Sequence, residues 1–206
     1  MWCIVERVNA SFLDRHQALK DAIGIIIFVI CVLIGTLIIN AFIFRSFNVE
    51  GPSMEPTLFT GDRLIVNRIP VTIAQLQNKS YVPDRGQVIV FKNPQYVPGM
   101  GEEYIVKRVL AFPGEHVVLK DGKFTVFNKE HPRGFNPDDD FNGEPGSYTS
   151  GETDTVVEDG TLFVSGDHRE GSYSKDSRNG LGLIPYYDVI GPVALRIFPF
   201  DKIRTF

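Results

Sequence analysis

Residues 22 to 44, AIGIIIFVICVLIGTLIINAFIF, carry no charged side chain, and Thr36 and Asn40 are the conspicuous polar interruptions. At about 1.5 Å per residue, a helix of this length crosses a hydrocarbon core of roughly 30 Å. Inside lipid every backbone N–H and C=O must be paired within the segment, so such a run has to be helical. A cleavable secretion signal is the competing reading, but its apolar region is usually about 7–15 residues long and precedes a small-residue cleavage site. Here the run ends in Phe42, Ile43, Phe44 and Arg45, and it is read as a retained anchor. Arg7, Arg15 and Lys20 precede the span, whereas Arg45 is the nearby positive residue after it. The positive-inside bias then makes 1–21 a cytoplasmic segment, 22–44 the transmembrane anchor and 45–206 an extracytoplasmic domain of a single-pass membrane protein.

Beyond the anchor roughly 160 residues remain, enough for one domain with a real core. The texture changes there to short runs rich in Val, Ile and Phe: DRLIVNRI (62–69), GQVIVFK (86–92), EEYIVKRVLAF (102–112), EHVVLKDGKFTVF (115–127), GTLFVSGD (160–167) and DVIGPVALRIF (188–198). Gly, Pro, Asp and Asn separate them. The expected fold is mainly β: a single N-terminal transmembrane helix followed by an antiparallel or mixed β domain, a partly closed barrel or sandwich. LKDGKF (119–124) is the clearest hairpin, because Asp-Gly supplies the positive φ angles of a type I′ turn. VTIAQLQNKS (71–80) is readable as a short helix or an irregular excursion. The Pro/Gly-rich, acidic stretch beginning at Asn128 and running to about 158 reads as a long surface insertion.

The net charge of −4 and the absence of a basic stripe give no reason to expect nucleic acid. The cysteines are Cys3 and Cys31, so the outer domain has no disulfide to rely on. Within the insertion, DDDFNG (138–143) imitates the opening of a calcium loop, but Thr149 stands where that loop needs a bidentate Glu. A solvated acidic turn is the better reading. His16, His116, His131 and His168 have no zinc spacing. No metal and no cofactor is expected.

The chemistry-bearing candidate is Ser53, in VEGPSMEPTL (49–58), a turn-like stretch placed only nine residues after Phe44. A serine hydroxyl needs a base to become a nucleophile. Lys107, inside YIVKRVL with Ile105 and Val109 on its own strand face, suits that part if apolar surroundings lower its pKa from the ordinary value of about 10.4. The competing reading is an edge or snorkelling lysine. Arg108 cannot serve, since a guanidinium does not deprotonate in proteins. A Ser-His mechanism through His168 is the alternative, although no GxSxG elbow surrounds Ser53.

EGPSMEPTLFTGDRLIVNR, PDRGQVIVFKNP, YIVKRVLAFPGE and GDHREGSYSKDSRNGLGLIP occur in this order. With the anchor, they make the chain resemble the bacterial type I signal peptidases (leader peptidases), from the anchor to Arg196. The resemblance implies a serine-lysine endopeptidase that removes signal peptides from exported preproteins after small-x-small sites. It implies Ser53 as nucleophile and Lys107 as general base, with Ser174 orienting the lysine amine and Asp176 and Arg178 holding that surrounding shell by an ion pair. The GDHREGSYSKDSR segment is two residues longer than the family's usual pattern, so Ser172 competes with Ser174. Gly51 stands where some members carry an oxyanion-binding serine, which leaves the second oxyanion donor open beside the Ser53 N–H. Phe47, Val49, Met54, Leu58, Leu64 and Val106 are candidate pocket walls for an extended peptide, each with plain core as its competing reading. The partners expected are preprotein signal peptides and membrane lipid. A tethered β module that only binds partners would explain the anchor and strands, but not the recurrence of these motifs together. A self-cleaving serine-lysine repressor would need a DNA-binding helix pair where the membrane span lies.

Overall fold

A helix without a polar face has nothing to turn toward water, and α1, Gln17–Ile38, is such a helix. Ile25, Phe28, Leu33 and Leu37 are all exposed, and the helical stretch Ala18–Ile43 is long and apolar enough to cross a membrane. Its polar side chains are satisfied by the helix itself: Thr36 Oγ1 donates to the Val32 carbonyl at 2.8 Å and Asn40 Nδ2 to the Thr36 carbonyl at 3.1 Å. That local pairing is what lets a hydroxyl and an amide sit within an apolar segment. The computed structural model describes residues 17–99, 103–139, 145 and 148–206, divided into two compact units, Met1–Ala41 and Phe42–Phe206.

The second unit is built from β1 Phe44–Asn48, β2 Arg63–Asn67, β3 Val88–Lys92, β4 Tyr104–Ala111, β5 His116–Lys120, β6 Lys123–Phe127, β7 Thr153–Val156, β8 Thr161–Ser165, β9 Ile184–Pro185, β10 Val189–Phe198 and β11 Arg204–Thr205. The larger sheet runs β1-β2-β10-β3-β4-β8-β9, with β11 added to β10; a smaller one runs β6-β5-β7. Among the described residues every pairing is antiparallel. The fold is therefore mainly β, an antiparallel sheet curled into a half-barrel, as the alternating segments predict.

The curl has a local cause in β10, which pairs with β2 through Val193–Phe198 and with β3 through Val189–Pro192, interrupted by register shifts. Bulges bend a strand and increase its twist. At the corner, a Cβ on Gly191 would lie 2.3 Å from the Asn67 carbonyl oxygen, so only glycine permits this approach. Two core clusters fill the larger sheet, one around Met54, Leu58, Leu64 and Val66, the other around Ile89, Phe91, Val109 and Leu162. A third, with Val117, Phe124 and Phe163, lies under the smaller sheet.

The predicted hairpin is present: β5 and β6 meet at Asp121 (φ 53°) and Gly122 (φ 78°). The 71–80 ambiguity resolves into helix α2, Ile69–Leu76, with Pro in its first turn, where a missing N–H costs nothing. The span read as surface insertion differs at its end: Thr153–Val156 form strand β7 along β5. Its alternation of half-buried and exposed residues lies in polar sequence, and pairing with β5, rather than local apolarity, makes it a strand.

Candidate active site

The loop from Val49 to Asp62 closes on itself between β1 and β2. Val49 N–H donates to the Asp62 carbonyl at 2.8 Å, and Gly61 N–H returns to the Val49 carbonyl at 2.9 Å. Met54 and Leu58, fully buried, drop from this loop into the core. Their burial fixes the turn just before them, where Glu55 N–H donates to the Pro52 carbonyl at 3.0 Å, and leaves half-buried Ser53 at the rim. Of the two readings open for Met54 and Leu58, pocket wall or plain core, their full burial in the cluster with Leu64 and Val66 favours core.

Lys107 approaches from β4. It sits opposite Ile89 in the ladder and is only 3% exposed. Its Nζ donates to Ser53 Oγ at 2.7 Å and to the Val106 carbonyl at 2.9 Å. Among the described residues nothing accepts from the Ser53 N–H, so this donor is available beside the hydroxyl. The residue two before it, Gly51, has φ 82°, a backbone conformation that disfavours the serine some relatives of the resembled family carry there.

The third component is the segment from Gly166 to Arg178, packed directly on the Ser53 loop. A Cβ on Gly166 would meet Ser174 Oγ at 2.2 Å and the Ser53 carbonyl oxygen at 2.3 Å. The His168 N–H donates to that same Ser53 carbonyl at 3.1 Å, and His168 Nδ1 lies 3.1 Å from the Pro52 carbonyl oxygen. The imidazole thus holds the loop's backbone and stacks on Tyr173, with centroids 4.4 Å apart, while the Ser53 hydroxyl is engaged by Lys107.

Ser174 is fully buried and donates to Asp176 Oδ2 at 2.8 Å, whereas Ser172 is exposed. Asp176 also accepts from the Gly166 N–H at 2.9 Å and from both Nε and Nη2 of Arg178, each at 2.9 Å. Burial alone pushes the Asp176 carboxyl up, but the Arg178 hydrogen bonds and charge, with Gly166 and Ser174, hold it below the usual carboxylate range. A depressed carboxyl stabilises the folded state above its unfolded pKa of about 3.9 and loses that contribution as pH falls through the folded value. In urea unfolding from pH 2 to 7, the stability difference between the native chain and Asp176→Asn should be constant above about pH 5 and shrink below about pH 4. A difference independent of pH across that range would contradict the ionic role.

Residues that the sequence reading did not single out complete the frame. Asp167 is 1% exposed and accepts from Arg108 Nε at 2.8 Å, Arg108 Nη2 at 2.5 Å and Thr57 Oγ1 at 2.5 Å. Arg108 and Lys107 are chain neighbours, so this buried cluster ties the strand bearing Lys107 to the Ser53 loop through Thr57. The visible signal was the GDHR tetrapeptide, already present in the quoted motif.

A cleft of about 250 Å³ opens in front of Ser53 and Lys107. Phe47, Val49, Leu64, Val90, Tyr104 and Val106 line it, Leu64 from the fully buried layer behind the half-buried Phe47, Tyr104 and Val106. Its two sides are strand edges: among the described residues β1 pairs only with β2, and β4 before Arg108 only with β3. The volume is below the roughly 300–1,000 Å³ usual for small-molecule pockets, but open edges can add an extended peptide as a strand. Among the described residues no group of His, Cys, Asp and Glu could hold a metal ion. The calcium-like residues Asp140, Asn142 and Gly143 lie outside the described residues.

The family model described as "Signal peptidase, peptidase S26" matches residues 20–198. The chain is 33% identical over 178 residues to Signal peptidase I of Bacillus licheniformis, covering 85% of this chain and 88% of that one. It is 34% identical to Signal peptidase I T of Bacillus subtilis (strain 168), covering 85% and 84%. Among solved structures, the crystal structure of a signal peptidase I from Enterococcus faecalis V583 matches with a TM-score of 0.40 at 22% identity, covering 54% of this chain and 96% of that one.

Proposed function

The chain belongs to the signal peptidase family, peptidase S26, and from that premise we propose a serine-lysine mechanism in which Ser53 is the nucleophile and Lys107 the general base. Membership makes it a serine-type peptidase that cleaves signal peptides. The observation that supports the finer reading is the 2.7 Å contact between Lys107 Nζ and Ser53 Oγ at the head of a cleft bounded by two open strand edges.

A signal peptide lies extended in the cleft and pairs with the free edges of β1 and β4. With Lys107 neutral, the contact runs in the opposite sense and the Ser53 hydroxyl donates to the amine. Ser53 Oγ bonds to the scissile carbonyl carbon while its proton passes to Lys107 Nζ. The Ser53 N–H faces the developing oxyanion, a place where one donor is worth roughly 2.7–4 kcal/mol in other enzymes. Lys107 then returns the proton to the departing amine, and the C–N bond breaks to leave an ester on Ser53. Water then gives a proton to Lys107 and bonds to the ester carbon. The bond from that carbon to Ser53 Oγ breaks, and Lys107 returns the proton to Ser53 Oγ, restoring the hydroxyl and the neutral amine. Ser174 and the Asp176–Arg178 pair hold the wall beside the amine, and a small cleft favours small-x-small cleavage sites. Residues 22–44 anchor the protein in the bacterial cell membrane, in contact with lipid, with 1–21 in the cytoplasm and the catalytic β domain, 45–206, outside.

The test is incubation of the detergent-solubilised full chain with a preprotein, followed by sequencing of the new N-terminus. Cleavage after a small-x-small site is expected, with a rate that rises with pH through an acidic limb, because protonation removes the base. His168→Ala should keep that limb, since His168 contacts loop backbone. If His168→Ala removes the limb and Lys107→Arg leaves turnover largely intact, a Ser-His mechanism replaces this one.

A further inference from the structure

The stretch after β6 is the part of the domain for which the reaction described above has no use, yet two of its residues grip the Gly166–Arg178 segment. We infer that this insertion positions the Ser53 loop, with Asp138 as the positioning residue acting through Arg169. The inference rests on Ser53 being the nucleophile.

Asp138 is presented from a fixed base. Val126 and Phe135 exchange backbone hydrogen bonds at 2.8 and 3.0 Å, stitching the insertion to β6. Gly134 allows that approach, since a Cβ there would meet Thr125 Cγ2 at 2.4 Å. The Asp138 N–H then donates to Asn136 Oδ1 at 3.1 Å, closing a turn that fixes its backbone. From there the carboxylate meets Arg169 with both oxygens, at 2.5 Å to Nη1 and 2.7 Å to Nη2. Both oxygens being taken by a guanidinium, Asp138 serves as an anchor and not as a cation ligand.

Arg169 is 2% exposed and lies over the Phe124 ring, 5.1 Å from its centroid. Its Nε donates to the Gly166 carbonyl at 2.7 Å, and Gly166 is the residue whose Cα abuts both Ser174 Oγ and the Ser53 carbonyl. His168, between them, donates its N–H to that carbonyl. The path from Asp138 to the nucleophile loop is thus one guanidinium and one short backbone turn. Ser150 fastens the other end: its N–H donates to the Arg169 carbonyl at 2.9 Å, its carbonyl accepts from Arg178 Nη1 at 3.1 Å, and its Oγ accepts from the Gly171 N–H at 2.8 Å.

Removing the Asp138 charge leaves a buried guanidinium uncompensated. Arg169 must then seek water, and the Gly166 carbonyl loses the shorter of its two hydrogen bonds, keeping that from Ser165 Oγ at 3.1 Å. The strands that form the cleft, β1 and β4, make none of these contacts, so peptide binding should survive while the placement of Ser53 degrades.

The experiment uses the full chain in detergent, with Asp138→Asn, Asp138→Glu and, as control, Glu130→Gln, an exposed carboxylate in the same stretch. Hydrogen exchange by mass spectrometry and kcat and KM on a preprotein are both measured. Asp138→Asn should lower kcat about 10- to 100-fold, the range a small misplacement costs, with KM within about twofold. Exchange should quicken in residues 166–178 and 50–58 and stay unchanged in the β5–β6 hairpin. Asp138→Glu should restore part of kcat, and Glu130→Gln should change neither reading. Unchanged kcat with unchanged exchange in 166–178 overturns the proposal, as does a loss of protection spread evenly over the domain, which would make Asp138 a support of the fold alone. The exchange arm needs no substrate. If the native chain cleaves no preprotein while Asp138→Asn still loosens 166–178 and 50–58, the serine-lysine reading fails and the coupling stands.

Discussion

Ser53→Ala and Lys107→Ala are each expected to lower preprotein cleavage by at least about 10⁴-fold while the domain stays folded. The two residues lie 54 positions apart and meet at 2.7 Å, so one proton transfer depends on both. Removal of either group of such a unit costs nearly as much as removal of both; the double variant should therefore be no worse than the singles. Ser53→Ala deletes one oxygen at the rim and disturbs little else. Lys107→Ala empties buried space opposite Ile89, so Lys107→Met, which refills it without an amine, separates lost chemistry from lost packing. Circular dichroism checks the fold, and N-terminal sequencing of the product checks cleavage. Near-normal turnover in any well-folded variant of either residue would refute the pairing.

Asp167→Ala should be among the most destabilising single changes in the β domain. Its carboxylate takes two hydrogen bonds from Arg108 and one from Thr57, with Asp167 1% and Arg108 8% exposed. A buried pair adds little net stability relative to an apolar replacement, but breaking one partner leaves a bare charge and costs about 3–5 kcal/mol. For a domain of this size that is a fall in Tm of roughly 6–20 °C. Arg108 keeps a hydrogen bond to the Gly86 carbonyl at 2.8 Å, which cannot neutralise it. Asp167→Asn, which retains hydrogen bonding but not charge, should fall between native and alanine. Activity should drop alongside stability, because Asp167 precedes the His168 N–H that holds the Ser53 carbonyl. A melting temperature within about 2 °C of native for Asp167→Ala would mean that Arg108 finds water, and that the cluster is not a closed one.

Much of the scaffold was legible from short-range pattern alone. The absence of any charge from Ala22 to Phe44 predicts a helix by itself, because backbone pairing inside one segment needs no partner. The helical stretch ends at Ile43, and Phe44 already pairs with Asn67 as the first residue of β1. Alternation of apolar residues marked most of the strands that build the larger sheet, and Asp121-Gly122 marked a hairpin, since the positive φ requirement is local. The residue pattern raised Ser53 and offered Lys107 as its base beside the competing reading of an edge or snorkelling lysine, and the motif resemblance implied the two as a pair.

What only the tertiary structure decided are matters of register and of which apolar surface meets which. Met54, Leu58, Phe47 and Val106 look alike as hydrophobic residues. The first two are core and the last two line the cleft, and hydrophobicity drives burial without choosing the partner. β7 was hidden in polar sequence because its strand character comes from β5 beside it. The ties that set the site join residues far apart in the chain: Thr57 to Asp167 across 110 positions, Arg108 to Asp167 across 59, Asp138 to Arg169 across 31. Local periodicity carries no information about such pairs. They exist because the sheet curls at Gly191 and brings strand edges, loop and insertion to one place, where each buried charge must find its counterpart.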